Sequence, residues 1–246
     1  MRDPGSWLDF AAPALCALCR GPPGALPWLC PRCASRLALI RGPLCLRCGT
    51  PRALPAPVCG SCPAWPATVH GVRAAAGHGG TAAALANRLA ARGDLAAARV
   101  LGALCAAAAL ALPLPDDTVL VGVPSTRSTR WRRGYDPAGE LAHRLARALA
   151  RPVRRWLRRV RPDPGAELSA PARWRAVRGS FRAEPAVRGR TVLLVDVTWR
   201  SGATIDACAR ALRRRGAAAV WAVTATASRR ESRASPGRVP RPRQRP

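Results

Sequence analysis

Val192-Leu193-Leu194-Val195-Asp196-Val197-Thr198-Trp199-Arg200-Ser201-Gly202-Ala203-Thr204 is the stretch that decides how this chain is read. Gly189-Arg190 opens a strand over Thr191 to Val195 that ends in an acid; a turn over 197–202 follows, and a helix runs from 203 to 215, closed by Gly216. A strand that feeds a glycine-bearing loop and then a helix start aims loop amides and the helix N-terminus at one point, which is the geometry of a phosphate site. Gly202 permits close backbone approach, Ser201 and Thr204 add hydroxyls, and Asp196, at the carboxyl edge of a sheet, is placed to hold sugar hydroxyls. The local pattern alone is shared with strand-turn-helix units that bind nothing.

The flanking segments supply an α/β frame. After the helix, Ala218 to Thr224 reads as a strand. Before the motif, Thr118 to Val123 is an apolar run opened by a Pro/Asp turn and reads as a buried strand that empties into an Arg-rich loop, 124–135. Asp136 then caps a helix with Pro137 at its first position and Leu141, Leu145 and Leu149 at i, i+4 spacing. A strand near Val153 to Val160 is interrupted by paired Arg, and 161–180 reads as loop with a short helix. Two Ala/Leu-rich helices, 81–92 and 95–112, are separated by Gly93-Asp94, a stop followed by an N-cap. The order strand, helix, strand, strand, helix, strand implies an α/β domain with a mostly parallel sheet.

At the other end of the chain stand four Cys-x-x-Cys knuckles, Cys16/Cys19, Cys30/Cys33, Cys45/Cys48 and Cys59/Cys62. A two-residue gap turns both sulfurs of a knuckle onto one tetrahedral ion, and two knuckles complete a four-thiolate shell that suits zinc. Disulfides would need an export signal, yet the early apolar stretch Phe10 to Leu18 contains Cys16 and lacks a small-residue cleavage site. Eight thiolates suit two ions, most simply Cys16, Cys19, Cys30 and Cys33 for one and Cys45, Cys48, Cys59 and Cys62 for the other; interleaved pairing is equally allowed by spacing. A closed all-cysteine shell leaves no open position, so the zinc is expected to be structural. The Pro-rich connector Pro63 to Pro66 is read as a domain boundary.

The net charge of +28 favours polyanionic partners, nucleic acid or phosphorylated small molecules. All 41 basic residues are Arg, alongside abundant Ala, Pro and Gly, so part of that excess reflects coding bias. The longest apolar run, Leu101 to Pro115, is broken by Gly and Pro and is too short to span a membrane. Among the basic residues of the loop, Arg133 is assigned to diphosphate or nucleic-acid contact and Arg127, Arg130 and Arg132 to a solvated surface. Trp131 and Trp199 are read either as base-stacking or as partly buried indoles. Cys105 and Cys208 are expected in the core, and His70, His78 and His143 at packing or surface positions.

The motif resembles the diphosphoribosyl-binding motif of type I phosphoribosyltransferases: four apolar residues, Asp-Asp, and a Thr-Thr-Gly-Ala-Thr loop. With the knuckles, the segment from Val123-Pro124 through Arg133-Gly134-Tyr135-Asp136, and Val177-Arg178-Gly179-Ser180-Phe181, the chain is similar over about residues 12 to 227 to the ComF family, zinc-ribbon phosphoribosyltransferase-like proteins linked to DNA uptake in natural transformation. Asp196 matches the first motif acid, Gly202, Ala203 and Thr204 match the end of the phosphate loop, and Ser201 replaces a Thr. Val197 stands where the second acid belongs and Arg200 where the first loop Thr belongs. Pro137 ends a segment that is Arg-Gly-Phe-Asn-Gln in the family, Ala90 takes the place of a basic residue, and Ala176 that of an Asn.

The resemblance implies a zinc ribbon over 12–66, a type I phosphoribosyltransferase-like domain over 67–227 and a disordered, solvated Arg/Pro-rich tail over 228–246. It further implies a cytoplasmic protein that binds phosphoribosyl diphosphate or a related ligand through Asp196, Arg200, Ser201, Gly202, Ala203, Thr204 and Arg133. Asp196 would be the catalytic acid, with Mg²⁺ accompanying the diphosphate if turnover survives. The implied role is in DNA uptake, with single-stranded DNA and other uptake proteins as partners. Ribose transfer passes through a cationic sugar and depends on preorganised charge, so an acid lost at Val197 removes a hydroxyl acceptor and negative charge near Mg²⁺. The rival expectation is a non-enzymatic, zinc-dependent single-strand DNA-binding module that has lost turnover. A salvage enzyme for a free nucleobase is disfavoured because no base-recognition loop is identifiable.

Overall fold

The computed structural model describes residues 15–24, 26, 28–54, 57–59, 62, 68–164 and 168–228; apart from Ser228, the Arg/Pro-rich tail lies outside them. A short helix, α1 (Pro31–Ala34), belongs to the cysteine region. The remaining elements are β1 (Gly71–Gly77), α2 (Gly80–Arg92), α3 (Leu95–Ala109), β2 (Val119–Gly122), α4 (Arg127–Arg133), α5 (Pro137–Leu149), β3 (Leu157–Arg159), α6 (Ala170–Val177), β4 (Phe181–Ala183), β5 (Thr191–Trp199), α7 (Ala203–Arg214) and β6 (Ala219–Ala227).

Four strands form one sheet in the order β1-β6-β5-β2, and every pair in it is parallel. Parallel strands need crossovers, and α7 returns β5 to β6. Alternation along β5 divides the core in two. Leu193, Val195 and Val197 face a layer built from α2, α3 and α5, with Leu85, Leu89, Leu101, Leu141 and Leu145 fully buried. Val192 and Leu194 face Ile205, Cys208 and Leu212 of α7. Gly122 lets α5 start against the end of β2, since a Cβ there would come within 2.8 Å of the Ala138 carbonyl oxygen. The cysteine region covers the edge strand β1. Ile40 and Gly77 amides bond to the Ala75 and Ala38 carbonyls, and the Val72 amide to Arg47. These bonds use edge groups that would otherwise be open to another chain.

Several sequence expectations are corrected. Strand β1 was not foreseen because Gly71-Val-Arg-Ala-Ala-Ala-Gly77 is weak in strand formers; pairing with β6 and burial over Gly71–Ala76 override that preference. The loop 124–135 contains α4, capped by Thr126, whose hydroxyl accepts from the Thr129 amide. The strand near Val153 to Val160 splits. Val153 makes one parallel bridge to Leu120, while β3 pairs with β4 in a separate two-stranded antiparallel sheet, where Arg158 is exposed and Arg159 buried. The turn begins later than expected, at Arg200, because β6 offers ladder partners as far as Trp199. The second Ala-rich helix ends at Ala109, three residues short of 112. Asp136 occupies the N-cap of α5 without a side-chain capping bond.

Candidate functional site

Strand β5 delivers Asp196 to the carboxyl edge of the sheet and continues through Val197, Thr198 and Trp199; Arg200, Ser201 and Gly202 then turn into α7. Gly202 is the N-cap and has φ +81°, a conformation that a β-branched residue resists. The Ser201 hydroxyl accepts from the Ala203 amide at 3.4 Å. These residues line a cleft of about 420 Å³ with Val123 to Thr126 beyond β2, Arg133 of α4, and His78 after β1. Strand ends, loop and helix start thus converge at the sheet's carboxyl edge, where α/β proteins hold ligands.

Of the ligand residues expected from sequence, Asp196, Arg200, Ser201, Gly202, Thr204 and Arg133 all line this cleft. Ala203, 1% exposed, is packed into the core at the start of α7 and is not among the residues that line the cleft. Arg133 is exposed at the end of α4, a helix with no buried residue. Trp131 on that helix is 87% exposed, whereas Trp199 is partly buried and packs on apolar residues and on a cysteine cluster. Cys105 and Cys208 are fully buried, and burial raises both thiols.

Sequence reasoning missed part of the wall. Arg159 of β3 pairs with Asp163 at 3.0 Å, Arg173 of α6 reaches the same carboxylate at 3.4 Å, and all three line the cleft. They stand on β3, on the segment after it and on α6, so only tertiary structure brings them to the motif. His78, read as packing or surface, lines the cleft, with Nδ1 2.9 Å from the Thr226 hydroxyl; burial and then Arg200 lower its basicity. Burial is also the first cause of a raised Asp196, pushed up to about 7 although the Val197 amide donates to its carboxylate at 2.8 Å; Asp163 adds repulsion and Arg159 opposes it. Burial raises Asp136 as well, against Arg130.

Val197 accounts for the missing acid in physical terms. It packs with the apolar side chains beneath α2 and α5, is 7% exposed, and lines the cleft beside Asp196. The Ala90 carbonyl accepts the Tyr135 hydroxyl at 3.1 Å, which ties α2 to the segment after α4.

The cysteines form two separate groups, Cys16, Cys19, Cys30 and Cys33, and Cys45, Cys48, Cys59 and Cys62, with the sulfurs of each within 4.8 Å of one another. Sequential pairing is therefore the one adopted. Neighbouring sulfurs lie 3.4 Å apart for Cys45–Cys62 and Cys48–Cys59 and 3.5 Å for Cys19–Cys30. A zinc tetrahedron with Zn–S of about 2.3 Å has edges of about 3.8 Å, so both groups fit the ion. At Cys16 and Cys45 burial opposes ionisation, but knuckle amides turned onto the sulfur bring each thiol down to about 6. Burial and the surrounding thiols push Cys33 up to about 12, and burial is likewise the leading cause for Cys62. Zinc would displace the remaining protons and complete both structural sites.

The chain is similar to several known proteins. A double zinc ribbon domain model matches residues 7–63. The DNA utilization protein YhgH of Salmonella typhi is 33% identical over 231 residues, covering 88% of this chain and 99% of that protein. Its counterpart in Escherichia coli K12 is 31% identical over 236 residues with the same coverage. Among solved structures, the allosteric regulatory enzyme of purine biosynthesis shares 23% identity, covers 52% of this chain and 26% of its own, and has a TM-score of 0.36. Glutamine phosphoribosylpyrophosphate amidotransferase from B. subtilis, complexed with ADP and GMP, gives 22%, the same coverage and the same TM-score. No helix among the described residues is long and apolar enough to cross a membrane. With a double zinc ribbon ahead of a parallel sheet, and with relatives matching over nearly their whole length, this chain belongs to the ComF family.

Proposed function

We propose that the chain binds a phosphoribosyl ligand, phosphoribosyl diphosphate or a near relative, in the cleft at the end of β5, and that its role lies in the uptake or use of DNA. The observation that carries this reading is the loop from Arg200 to Gly202, with Gly202 at φ +81°, opening α7 into a cleft of about 420 Å³. The 5′-phosphate would take the amides of Gly202, Ala203 and Thr204 with the Ser201 hydroxyl, and the ribose hydroxyls would take Asp196. Arg133 and Arg200 would face the diphosphate.

Mg²⁺, which would travel with the diphosphate and neutralise it, fits these residues poorly. Of the two motif acids only Asp196 is left, in a setting that raises it to about 7, and the second position is an apolar, buried Val197. Phosphate affinity should therefore survive better than turnover, because the missing acid would act on charge that develops in the transition state. The name DNA utilization protein carried by the relatives supports a role with DNA. A non-enzymatic reading with single-stranded DNA as the partner is favoured by α4, which exposes Arg127, Arg132, Arg133 and Trp131 without burying any residue.

Titrating phosphoribosyl diphosphate with and without Mg²⁺ tests the proposal. Binding in both conditions is expected, and its loss in Gly202→Val, whose branched side chain cannot adopt the loop conformation. No binding in either condition overturns the reading. Val197→Asp is expected to raise Mg²⁺ dependence or turnover, and robust turnover in the unmodified protein would refute the role given to Val197.

A further inference from the structure

We infer that Trp199 is a positioning residue joining the second cysteine site to the phosphate loop, so that zinc on Cys45, Cys48, Cys59 and Cys62 holds the loop in its binding geometry. The inference takes the identity of the loop's ligand from the proposed phosphoribosyl reading; the mechanical link itself is independent of it.

Trp199 is the last residue of β5 and immediately precedes Arg200-Ser201-Gly202. Its partly buried side chain packs on the cluster of Cys45, Cys48, Cys59 and Cys62, and the same residue lines the cleft. The backbone is fixed, since Trp199 is in register with Ala227 and its carbonyl accepts the Ser228 amide at 2.8 Å. The indole therefore bridges a sulfur cluster and the first residue of the loop.

The cluster is held from its other side by β1. Arg73, 3% exposed, donates Nη1 to the carbonyls of Leu46 at 2.9 Å, Val72 at 2.8 Å and Cys45 at 3.3 Å. The Val72 amide donates to Arg47, and Gly49, at φ +69°, lies so close that a Cβ would sit 2.6 Å from the Val72 carbonyl oxygen. Four thiolates around Zn²⁺ leave a net negative charge beside this buried guanidinium, which offsets it. Zinc thus fixes four sulfurs between β1 and Trp199. When it leaves, the four sulfurs lose their shared ligand, and the surface on which the indole rests is expected to loosen.

The first site is the internal control. Cys16, Cys30 and Cys33 belong to the core layer that holds Leu85, Ala86 and Leu89 of α2, and among the described residues Trp199 is packed on the second cysteine group and not on this one. Linkage is reciprocal: if zinc at the second site favours a ligand-ready loop, ligand on the loop must favour zinc at that site by the same factor.

The test uses the full zinc-loaded chain, with pulse alkylation and peptide mapping to report each cysteine set and amide exchange to report Arg200–Thr204. As a chelator withdraws zinc, loop exchange is expected to rise about tenfold when the second set becomes alkylatable, whether or not the first set has. This arm needs no ligand, so it stands apart from the phosphoribosyl reading. A loop that stays protected after the second set is alkylated overturns the inference.

In Trp199→Ala the loop should exchange at the fast rate with both ions bound, and Trp199→Phe should restore protection. Loop exchange in Trp199→Ala equal to that of the unmodified chain also overturns it. Phosphoribosyl diphosphate, at a concentration shown by titration to saturate the cleft, should slow alkylation of the second set and leave the first unchanged. Equal protection of both sets would mean global stabilisation and refute the coupling. Failure of the titration itself would count against the phosphoribosyl reading and leave the exchange arm to decide.

Discussion

The group of Cys16, Cys19, Cys30 and Cys33 reaches the helical layer through its three buried members, Cys16, Cys30 and Cys33, whereas Cys45, Cys48, Cys59 and Cys62 lie against the edge strand and the end of β5. The first group is tied to α2 by a neutral hydroxyl, Thr81 to the Cys33 carbonyl at 2.8 Å, and by Arg88 to the Ala17 carbonyl at 2.9 Å. The second is tied to β1 by a buried cation that spans three carbonyls, and it alone touches Trp199. Ligand type and ligand spacing are alike in the two groups, yet their surroundings give them different work. One staples the ribbon to the helical layer; the other also reaches the cleft.

Removing both ions erases the comparison, and its effect is the largest expected. Ligation free energy in small four-cysteine units is folding free energy, on the order of 10 kcal/mol. Chelation should melt the described ribbon residues while the parallel sheet keeps its amide protection. Elemental analysis with amide exchange checks this, and a metal-free sample with an intact ribbon would refute structural zinc.

Arg73→Leu separates the two sites. It takes the guanidinium donor from the Leu46, Val72 and Cys45 carbonyls, the last of which keeps the Gly49 amide, and removes a cation from beside a thiolate shell, a loss of about 3 kcal/mol. Zinc should leave the second site faster in this variant and the first at its usual rate, as read by alkylation of each cysteine set. Thr81→Val is the mirror change. It removes one buried hydrogen bond at nearly constant volume, worth about 1 kcal/mol, and should loosen only the first site. Equal effects on both sites from either variant would mean the ribbon behaves as one unit.

Sequence carried much of this. Knuckle spacing identified four-thiolate sites but left their pairing open, because spacing alone does not say which hairpins stack. The motif from Val192 to Thr204 identified the loop because Gly202 and the hydroxyls around it mark a backbone geometry that is local. What was illegible was set by tertiary packing. β1 is a strand because β6 and the ribbon pair with it, against its Ala and Gly content. Arg159, Asp163 and Arg173 join the cleft from β3, the segment after it and α6, whose placement no periodicity reports. Trp199 was weighed as a stacking or a packing residue, and its contact with cysteines more than a hundred positions earlier has no local signature.

The smallest effect is the pH response of the cleft, and it extends the comparison to the sites' reach. Asp196 has a folded pKa of about 7 against an ordinary value of 3.8, burial being the main cause. Between those values the folded chain holds a proton that the unfolded chain has released, so the stability from this group is complete below about 4 and is lost as pH rises through about 7. Ligand binding should run the other way, because the ionised carboxylate is the better acceptor for ribose hydroxyls. Affinity for phosphoribosyl diphosphate is expected to rise several-fold between about pH 6 and pH 8 as Asp196 ionises. Asp196→Asn should flatten both the stability slope and the affinity rise, leaving whatever the ligand's own phosphates contribute. Because Trp199 connects the loop to Cys45, Cys48, Cys59 and Cys62, ligand protection of those four thiols should follow the affinity curve, while Cys16, Cys19, Cys30 and Cys33 stay flat. An affinity that falls over this range, or one that keeps the same slope in Asp196→Asn, would place the controlling proton elsewhere in the cleft, with His78 next to Arg200 the first residue to replace.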